Sequence, residues 1–236
     1  MAQQTTVAQQ PQTSGQCRLC AKRFTRSGMQ RHVRACRGKL GGTGAPDTLL
    51  LALQDRYLSS YWLIVEAKAA ATWYDLDAFL RRIWVECCGH LSCFQQAGTT
   101  FVYDMDGAGE WAWNARSMAA PIAGTLSVGG RFSYEYDFGT TTELVGRALD
   151  LVPSATRGPV IEVVARNDPP VHPCAECGAN ATTLCALCYQ WAGDPCWYCD
   201  ACSDRHRCSD PGVDYLLPFV NSPRVGLCGY SGPAEG

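Results

Sequence analysis

The first residues in the chain that could bind a metal ion have the spacing of a zinc finger. Intervals of two, eleven and three residues separate the candidate ligands Cys17, Cys20, His32 and Cys36. The first pair predicts a tight knuckle, and the second pair lies four residues apart, which places both ligands on one helix face. Thiolates and an imidazole suit tetrahedral Zn²⁺. A segment this short cannot fold by burying apolar surface alone, so the metal would supply its folding free energy.

A second cysteine-rich run contains nine candidate ligands within residues 174–208. Eight of them form successive pairs, in the order expected of an interleaved cross-brace that binds two Zn²⁺ ions. Pairs one and three predict a site formed by Cys174, Cys177, Cys199 and Cys202. Pairs two and four predict a site formed by Cys185, Cys188, His206 and Cys208. In an alternative pairing, Cys196 joins Cys199 and Cys202 joins His206, and the spacing alone leaves both pairings open.

The cysteine pattern therefore predicts about three zinc ions in closed structural sites. Sites with four protein ligands leave no position for water, which argues against zinc catalysis. A disulfide framework is the competing interpretation, but the first residues lack the basic and apolar regions of a secretory signal, which favours a reducing cytoplasm. His172 and Cys228 are weighed as extra ligands, and we expect ordinary structural roles for both. No apolar run has the length of a membrane helix.

Charge is unevenly distributed along the 236 residues. Residues 1–46 contain eight Lys and Arg and no acidic residue, whereas residues 47–236 contain twelve Lys and Arg against twenty-two acids, a net charge of −10. A basic segment on an acidic body predicts contact with DNA, RNA or an acidic protein. The finger residues expected to contact phosphates or base edges are Lys22, Arg23, Arg26, Gln30, Arg31 and Arg34. The alternative is a solvated basic finger that docks on protein.

Composition divides the chain into five segments. They are a disordered tail (1–15), the finger (16–37), a Gly-rich linker (38–48), the body (49–168) and a cysteine-rich module with its C-terminal tail (169–236). In the body, helical spacing predicts a helix over 75–88 with Asp75 as N-cap. Strands are predicted at 61–69, 91–98, 99–104, 131–139, 141–150 and 159–166, with an irregular insertion at 105–130. One main helix packed on a mostly antiparallel sheet predicts an α+β fold. The apolar tail is expected to pack back on the body.

Three stretches of the chain resemble the plasmid pRiA4b ORF-3-like family. They are HLSCF (90–94), the segment 116–144 that contains YEYDFG, and NSPRVGLCGY (221–230). The positions that match the family's phrases are Trp84, His90, Leu91, Phe94, Tyr134, Tyr136, Asp137, Phe138 and Gly139. The resemblance implies a compact α+β core, often encoded on mobile DNA, and it implies no reaction. The chain departs from the family pattern where Gly89 and His90 follow a double cysteine.

Two enzymatic interpretations are weighed against structural ones. His90 with Asp137 or Asp104 could form an acid–base pair. Cys87, Cys88 and Cys93 near His90 could supply a nucleophilic thiolate, although a helix ending at Cys88 would bury at least one of them. The Asp137-Phe138-Gly139 triplet has none of the other kinase motifs, so we expect a turn there.

These observations favour a zinc-binding, non-enzymatic adaptor as the leading hypothesis. The basic finger, tethered by a flexible linker, would contact nucleic acid, and the body would bind a protein partner. An enzyme working at the His90/Asp137 surface and a purely protein-binding scaffold remain the two alternatives.

Overall fold

In the computed structural model, the described residues are 13–40, 45–103, 114–153, 158–191, 196–208 and 215–233. Residues 1–12 of the predicted tail lie outside them. So do Asp104 and residues 105–113 of the insertion predicted at 105–130. None of the helices in these ranges has both the length and the apolar character needed to cross a membrane.

Ten strands form one sheet, which is antiparallel except where β6 pairs with β7. The strands are β1 (Ser14–Cys17), β2 (Arg23–Thr25), β3 (Pro46–Asp55), β4 (Trp62–Ala67), β5 (Ser92–Gln96), β6 (Thr99–Val102), β7 (Ala115–Ser117), β8 (Arg131–Tyr136), β9 (Thr142–Pro153) and β10 (Ile161–Asn167). Their order across the sheet is β2-β1-β10-β4-β3-β9-β8-β5-β6-β7. The helices on this sheet are α1 (Arg26–Leu40), α2 (Trp73–Leu80), continued by a π-helical turn at Arg81–Val85, and the short α3 (Ile122–Thr125). The prediction of an α+β fold with a mostly antiparallel sheet is confirmed.

Both faces of the central strands β3 and β4 are buried. Leu50 of β3 and Ile64 of β4 face α1, whereas Leu51 and Val65 face α2. A strand covered on both faces is apolar throughout instead of alternating. That explains why β3, whose sequence is PDTLLLALQD, has no alternating pattern by which it could be predicted.

The finger is part of the sheet. Its strand β1 pairs antiparallel with β10, with Gly15 opposite Asn167 and Cys17 opposite Ala165. A Cβ atom at Gly15 would lie 2.1 Å from the Arg166 carbonyl oxygen, so only glycine permits this approach. On α1, Met29 and Val33 are fully buried against the sheet. The core of the finger is therefore continuous with one face of the body.

The opposite face of the sheet carries α2 and the C-terminal module. The module contains β11 (Thr183–Cys185), α4 (Ala186–Trp191), β12 (Trp197–Tyr198), α5 (Asp200–Ser203) and β13 (Leu216–Pro218), with strand order β12-β11-β13. Leu184 and Val225 join the main core. Ser222 Oγ donates to the Trp84 carbonyl oxygen at 2.5 Å, and Arg224 is fully buried. The C-terminal tail therefore packs on the body, as the sequence predicted.

Several predicted boundaries differ from the structure. Helix α1 continues to Leu40 and β3 begins at Pro46, so most of the 38–48 stretch predicted as a linker is helix or strand. Helix α2 starts at Trp73 because Thr72 is the N-cap, and Asp75 completes a capping box with it. Two main helices cover opposite faces of the sheet, where the sequence predicted one.

Candidate metal centres

The finger cluster consists of Cys17, Cys20, His32 and Cys36, whose ligand atoms all lie within 4.8 Å of one another. The knuckle closes through the Cys17 amide, which donates to the Lys22 carbonyl oxygen at 2.9 Å. Cys20 Sγ lies 3.2 Å from His32 Nε2, and the ring of Phe24 stacks on the imidazole at 4.3 Å. The spacing predicted this set, and the structure brings it together.

Local electrostatics favour metal binding at some of these ligands and oppose it at others. The backbone amide of Lys22 lowers the pKa of the Cys20 thiol. Burial, together with the charges of nearby lysines, lowers the pKa of His32, which favours the neutral imidazole that ligates metals. Burial raises the pKa of the Cys36 thiol to about 11, so a metal must displace a proton there.

The first module cluster consists of Cys174, Cys177, Cys199 and Cys202. Cys174 and Cys177 flank a turn closed by the Gly178 amide, and Cys202 lies in α5, for which Cys199 is the N-cap. Cys177 Sγ lies 3.6 Å from Cys199 Sγ. Hydrogen bonds from the backbone amides of Cys177 and Cys199 lower the pKa of the Cys174 thiol to about 6, which favours the thiolate that binds metal.

The second module cluster consists of Cys185, Cys188, His206 and Cys208. Cys208 Sγ lies 3.8 Å from Cys185 Sγ and 3.7 Å from Cys188 Sγ. The His206 Nε2 atom lies 3.6 Å from Cys188 Sγ. Tetrahedral zinc with bonds of about 2.3 Å to sulfur and 2.0 Å to nitrogen separates its ligand atoms by about 3.5–3.8 Å. The contacts in both module clusters agree with that geometry.

The two module clusters are interleaved along the chain: the first and third ligand pairs form one cluster, and the second and fourth pairs form the other. Cys196 belongs to neither: it is buried in the main core beside Leu184. His172 stacks on Trp197 with ring centroids 3.9 Å apart and also lies outside the clusters. The geometry therefore corresponds to the first pairing and not to the alternative that uses Cys196.

A fourth group, which we call the tail cluster, was not predicted from the sequence. It consists of Cys87, Cys88, His90 and Cys228, with all ligand atoms within 4.8 Å of one another. The sequence predicts a structural role for Cys228 and a buried thiol at Cys87 or Cys88. Instead α2 and its π-helical turn end at Val85, Cys87 is half-buried and Cys88 is exposed. With this cluster, every cysteine except Cys93 and Cys196 and every histidine except His172 belongs to a four-ligand group.

His90 borders a cavity of about 550 Å³, and Asp137 lies outside its lining. His90 Nε2 lies 3.5 Å from Asp137 Oδ2. That oxygen also accepts from the Arg224 guanidinium at 2.6 Å, and Asp137 Oδ1 accepts from the amides of Gly139 and Thr140. Burial raises the pKa of Asp137, but Arg224 and the two amides outweigh it and lower the pKa overall. Asp137 thus forms the turn expected at residues 137–139, and its lowered pKa makes it a weak base.

Several predicted nucleic-acid contacts are used within the chain. Arg23 pairs with Asp168, Arg26 donates to the Gln54 side chain, and Arg34 donates to the Leu149 carbonyl oxygen. Gln30 borders a cavity above β3 and β9. Lys22 and Arg31 are exposed. Arg26 is therefore half-buried against the body, whereas Arg34 bonds to the body and keeps an exposed side chain.

Comparison with known proteins adds a structural likeness of limited extent. No protein-family model matches the chain, and no curated protein matches it. The chain is similar to the crystal structure of a protein of unknown function, MM3350, from Methanosarcina mazei Go1, at 15% identity and a TM-score of 0.43. The similarity covers 52% of this chain and 68% of that chain. This similarity assigns no function to the chain.

Proposed function

We propose that this protein is a non-enzymatic scaffold whose fold is held by structural zinc and whose body binds a protein partner. The observation that carries the proposal is the closure of the finger and module clusters, each of which offers four protein ligands. A zinc ion with four protein ligands has no position for a substrate or an activated water molecule. The thiolate ligands require a reducing compartment, which supports a cytoplasmic location.

The carboxylates beside His90 support the scaffold over the alternative enzyme. Asp137 is held by Arg224, and the nearby Asp77 is 2% exposed. Asp77 accepts from Ser92 Oγ, Tyr134 OH and Arg81 Nε at 2.7–2.8 Å. A general base needs a carboxylate or imidazole that can reach a substrate proton. Both carboxylates are used in holding the fold.

Nucleic-acid contact through the finger is a second candidate function. The exposed Lys22 and Arg31 favour it, because a basic surface binds phosphates regardless of sequence. The finger cannot act as a separate reading arm, since α1 is packed on the sheet. We rank this function below protein binding because Arg23, Arg26 and Arg34 already have partners within the chain.

We also propose membership of the pRiA4b ORF-3-like family, for which the residue phrases given above are the support. Trp84, Phe94, Tyr134 and Tyr136 from those phrases are buried in one core. Shared core positions are what a common fold requires, and they carry no assignment of activity. An origin on mobile DNA belongs to the same proposal.

Cobalt substitution tests whether the sites are closed. Zn²⁺ is replaced by Co²⁺, whose visible absorption reports coordination number and ligand type. We expect tetrahedral, thiolate-rich spectra that azide, cyanide and imidazole leave unchanged, because four protein ligands exclude an external one. A spectral change on adding such a ligand would show an open position and would favour the enzyme.

Salt-dependent binding tests the nucleic-acid candidate. Fluorescence anisotropy with DNA and RNA oligonucleotides would compare the wild type with the Lys22→Ala/Arg31→Ala double variant. The control is Arg116→Ala, an exposed arginine on β7 at the opposite edge of the sheet. Binding that falls steeply with salt and is weakened only by the finger variant would support phosphate contact. Equal binding by all three proteins would reject it.

A further inference from the structure

The tail cluster has the ligand distances of the clusters that the sequence predicted. Cys88 Sγ lies 3.6 Å from Cys87 Sγ and 3.7 Å from Cys228 Sγ. His90 Nε2 lies 3.0 Å from Cys88 Sγ and 3.4 Å from Cys228 Sγ. The sulfur–sulfur distances equal those of the module clusters, and the shorter sulfur–nitrogen distance is close to the 3.2 Å of the finger cluster. All four ligand atoms lie within 4.8 Å of one another, close enough for one ion to contact them all, and the Cys88–His90 distance would have to lengthen to about 3.5 Å around tetrahedral zinc.

The loop that carries three of these ligands is held in place by its surroundings. The Tyr136 hydroxyl accepts from the amides of Cys87 and His90, each at 3.4 Å, and donates to Glu86 Oε1 at 2.9 Å. The Arg81 guanidinium donates to the His90 carbonyl oxygen at 2.8 Å. Glycine is required between the ligands because Gly89 has a φ of +79°. The loop is therefore ordered by contacts that do not involve the ligand side chains.

Cys228 reaches the cluster through an unusual backbone conformation. Its φ is +49°, a left-handed value that costs a non-glycine residue free energy. Successive turns surround it, in which the Leu227 amide donates to Arg224 and the Tyr230 amide donates to Leu227. Such strain persists where the surroundings determine it, and it gathers at functional sites. Here it directs the Cys228 thiol toward His90.

The charge around the cluster suits a bound ion. Three thiolates with Zn²⁺ have one net negative charge, and the buried Arg224 guanidinium lies beside Asp137 at the same surface. Arg224 also stacks over the ring of Tyr136, 4.8 Å from its centroid. A single positive group placed here offsets one of the two negative charges that the cluster and Asp137 would carry together.

We propose that Cys87, Cys88, His90 and Cys228 bind a fourth Zn²⁺ ion, which fastens the C-terminal tail to the loop after α2. Binding would release the protons of the three thiols to solvent. His90 and Cys228 are 138 residues apart in the chain, so the ion would close a long loop. The site would make His90 a metal ligand rather than a general base. This inference does not depend on the scaffold role.

The tail has other attachments, which limit what the ion controls. Asn221 exchanges hydrogen bonds with Asn167, Ser222 donates to Trp84, and Arg224 bonds to Thr140 and Thr142. These contacts precede Cys228 in the chain. Tyr230 follows Cys228 and is also buried. Loss of the ion should therefore loosen the segment after about Leu227, which Tyr230 alone then anchors, and leave the body folded.

Metal analysis of full-length protein in reducing buffer tests the site. We expect four zinc ions per chain in the wild type and three in Cys228→Ala or Cys88→Ala. The control is Cys93→Ala, because Cys93 is a buried cysteine outside the clusters and should leave four ions bound. Cobalt titration should lose one equivalent of thiolate absorption in the two ligand variants. Limited proteolysis should then cut the tail after Leu227 faster while the rest of the chain stays resistant.

Two results would overturn the site. One is a zinc count that is the same in the wild type and in both ligand variants. The other is a Cys88–Cys228 disulfide that persists in protein purified in reducing buffer. It would be seen as a mass lacking two hydrogen atoms and as two cysteines that resist alkylation. Either result leaves the finger and module clusters intact, so it is distinguishable from a failure of the scaffold proposal. A ligand variant that loses more than one ion has unfolded at another cluster as well. The zinc count of the other ligand variant then tests the site.

Discussion

Arg37, in the last turn of the finger helix, donates from Nε to Glu66 Oε1 on strand β4 at 2.6 Å. The Arg37 side chain is 1% exposed and the Glu66 side chain 14% exposed. The guanidinium also donates to the Pro153 carbonyl oxygen at 2.7 Å. A residue that would belong to the basic face of an isolated finger is thus buried between the finger and the body.

Removing one partner of this pair should be costly. We expect Arg37→Ala to lower the free energy of unfolding by about 3–5 kcal/mol, because it leaves Glu66 partly buried without its partner. The double variant Arg37→Met/Glu66→Leu should recover much of that loss. The control Arg23→Ala removes the exposed ion pair with Asp168 and should cost less than about 1 kcal/mol. Urea unfolding at a fixed free zinc concentration measures all three, and equal losses for Arg37→Ala and Arg23→Ala would contradict the prediction.

Local spacing was sufficient to predict the finger cluster and the ligand pairs of the module, because the members of each pair are separated by a few residues. It left open how the module pairs combine, which the fold determines. The tail cluster could not be predicted in this way, since its two halves lie 138 residues apart and only the fold brings them together. The CCGH sequence at 87–90 was the available signal: two thiols, a glycine and a histidine within one turn.

The docking of the finger was missed for a different reason. Sequence alone does not show whether an arginine faces solvent or a carbonyl group of the same chain. Arg34 donates to Leu149 and Arg37 to Pro153, so both bond to the end of β9. Long side chains with charged ends can cover apolar surface, and the basic face of α1 does so here. The charge run predicted a tethered arm, whereas Arg34 and Arg37 bond to the body; contact of the exposed Lys22 and Arg31 with a partner stays a prediction.

Loss of zinc from the finger should affect the sheet as well as the finger. We expect Cys20→Ala to speed hydrogen exchange of the Arg18 and Asp168 amides by about tenfold or more, because these amides bond β1 to β10. Cys20 is exposed, so the substitution removes a ligand without removing core contacts. Cys177→Ala is the matched control, an exposed ligand of the first module cluster, and should leave both amides protected. Faster exchange within residues 17–36 with an unchanged rate at Asp168 would indicate a finger that unfolds independently.

Cysteine substitutions in the module distinguish ligands from core residues. Cys188→Ala should release one zinc ion, whereas Cys196→Ala should retain every ion and cost about 1 kcal/mol from lost packing. Burial raises the pKa of the Cys196 thiol to about 12, so it stays protonated at neutral pH and inert. Elemental analysis measures the zinc count of each variant, and thermal unfolding measures the stability lost in Cys196→Ala. Loss of zinc from Cys196→Ala would instead support the pairing of Cys196 with Cys199.

Two glycines at the ends of the finger, one in β1 and one in α1, should change stability in opposite directions when each is replaced by alanine. At Gly15 the new Cβ would lie 2.1 Å from the Arg166 carbonyl oxygen and 2.7 Å from the Trp62 ring, so β1 would have to move away from β10. We expect Gly15→Ala to lower the free energy of unfolding by about 1–3 kcal/mol. Gly38, in α1, has open space around its Cβ position. Gly38→Ala should therefore raise the free energy of unfolding by about 0.5–1 kcal/mol. Thermal unfolding in excess zinc gives both changes, and an unchanged Gly15→Ala protein would mean that β1 is not paired with the body in solution.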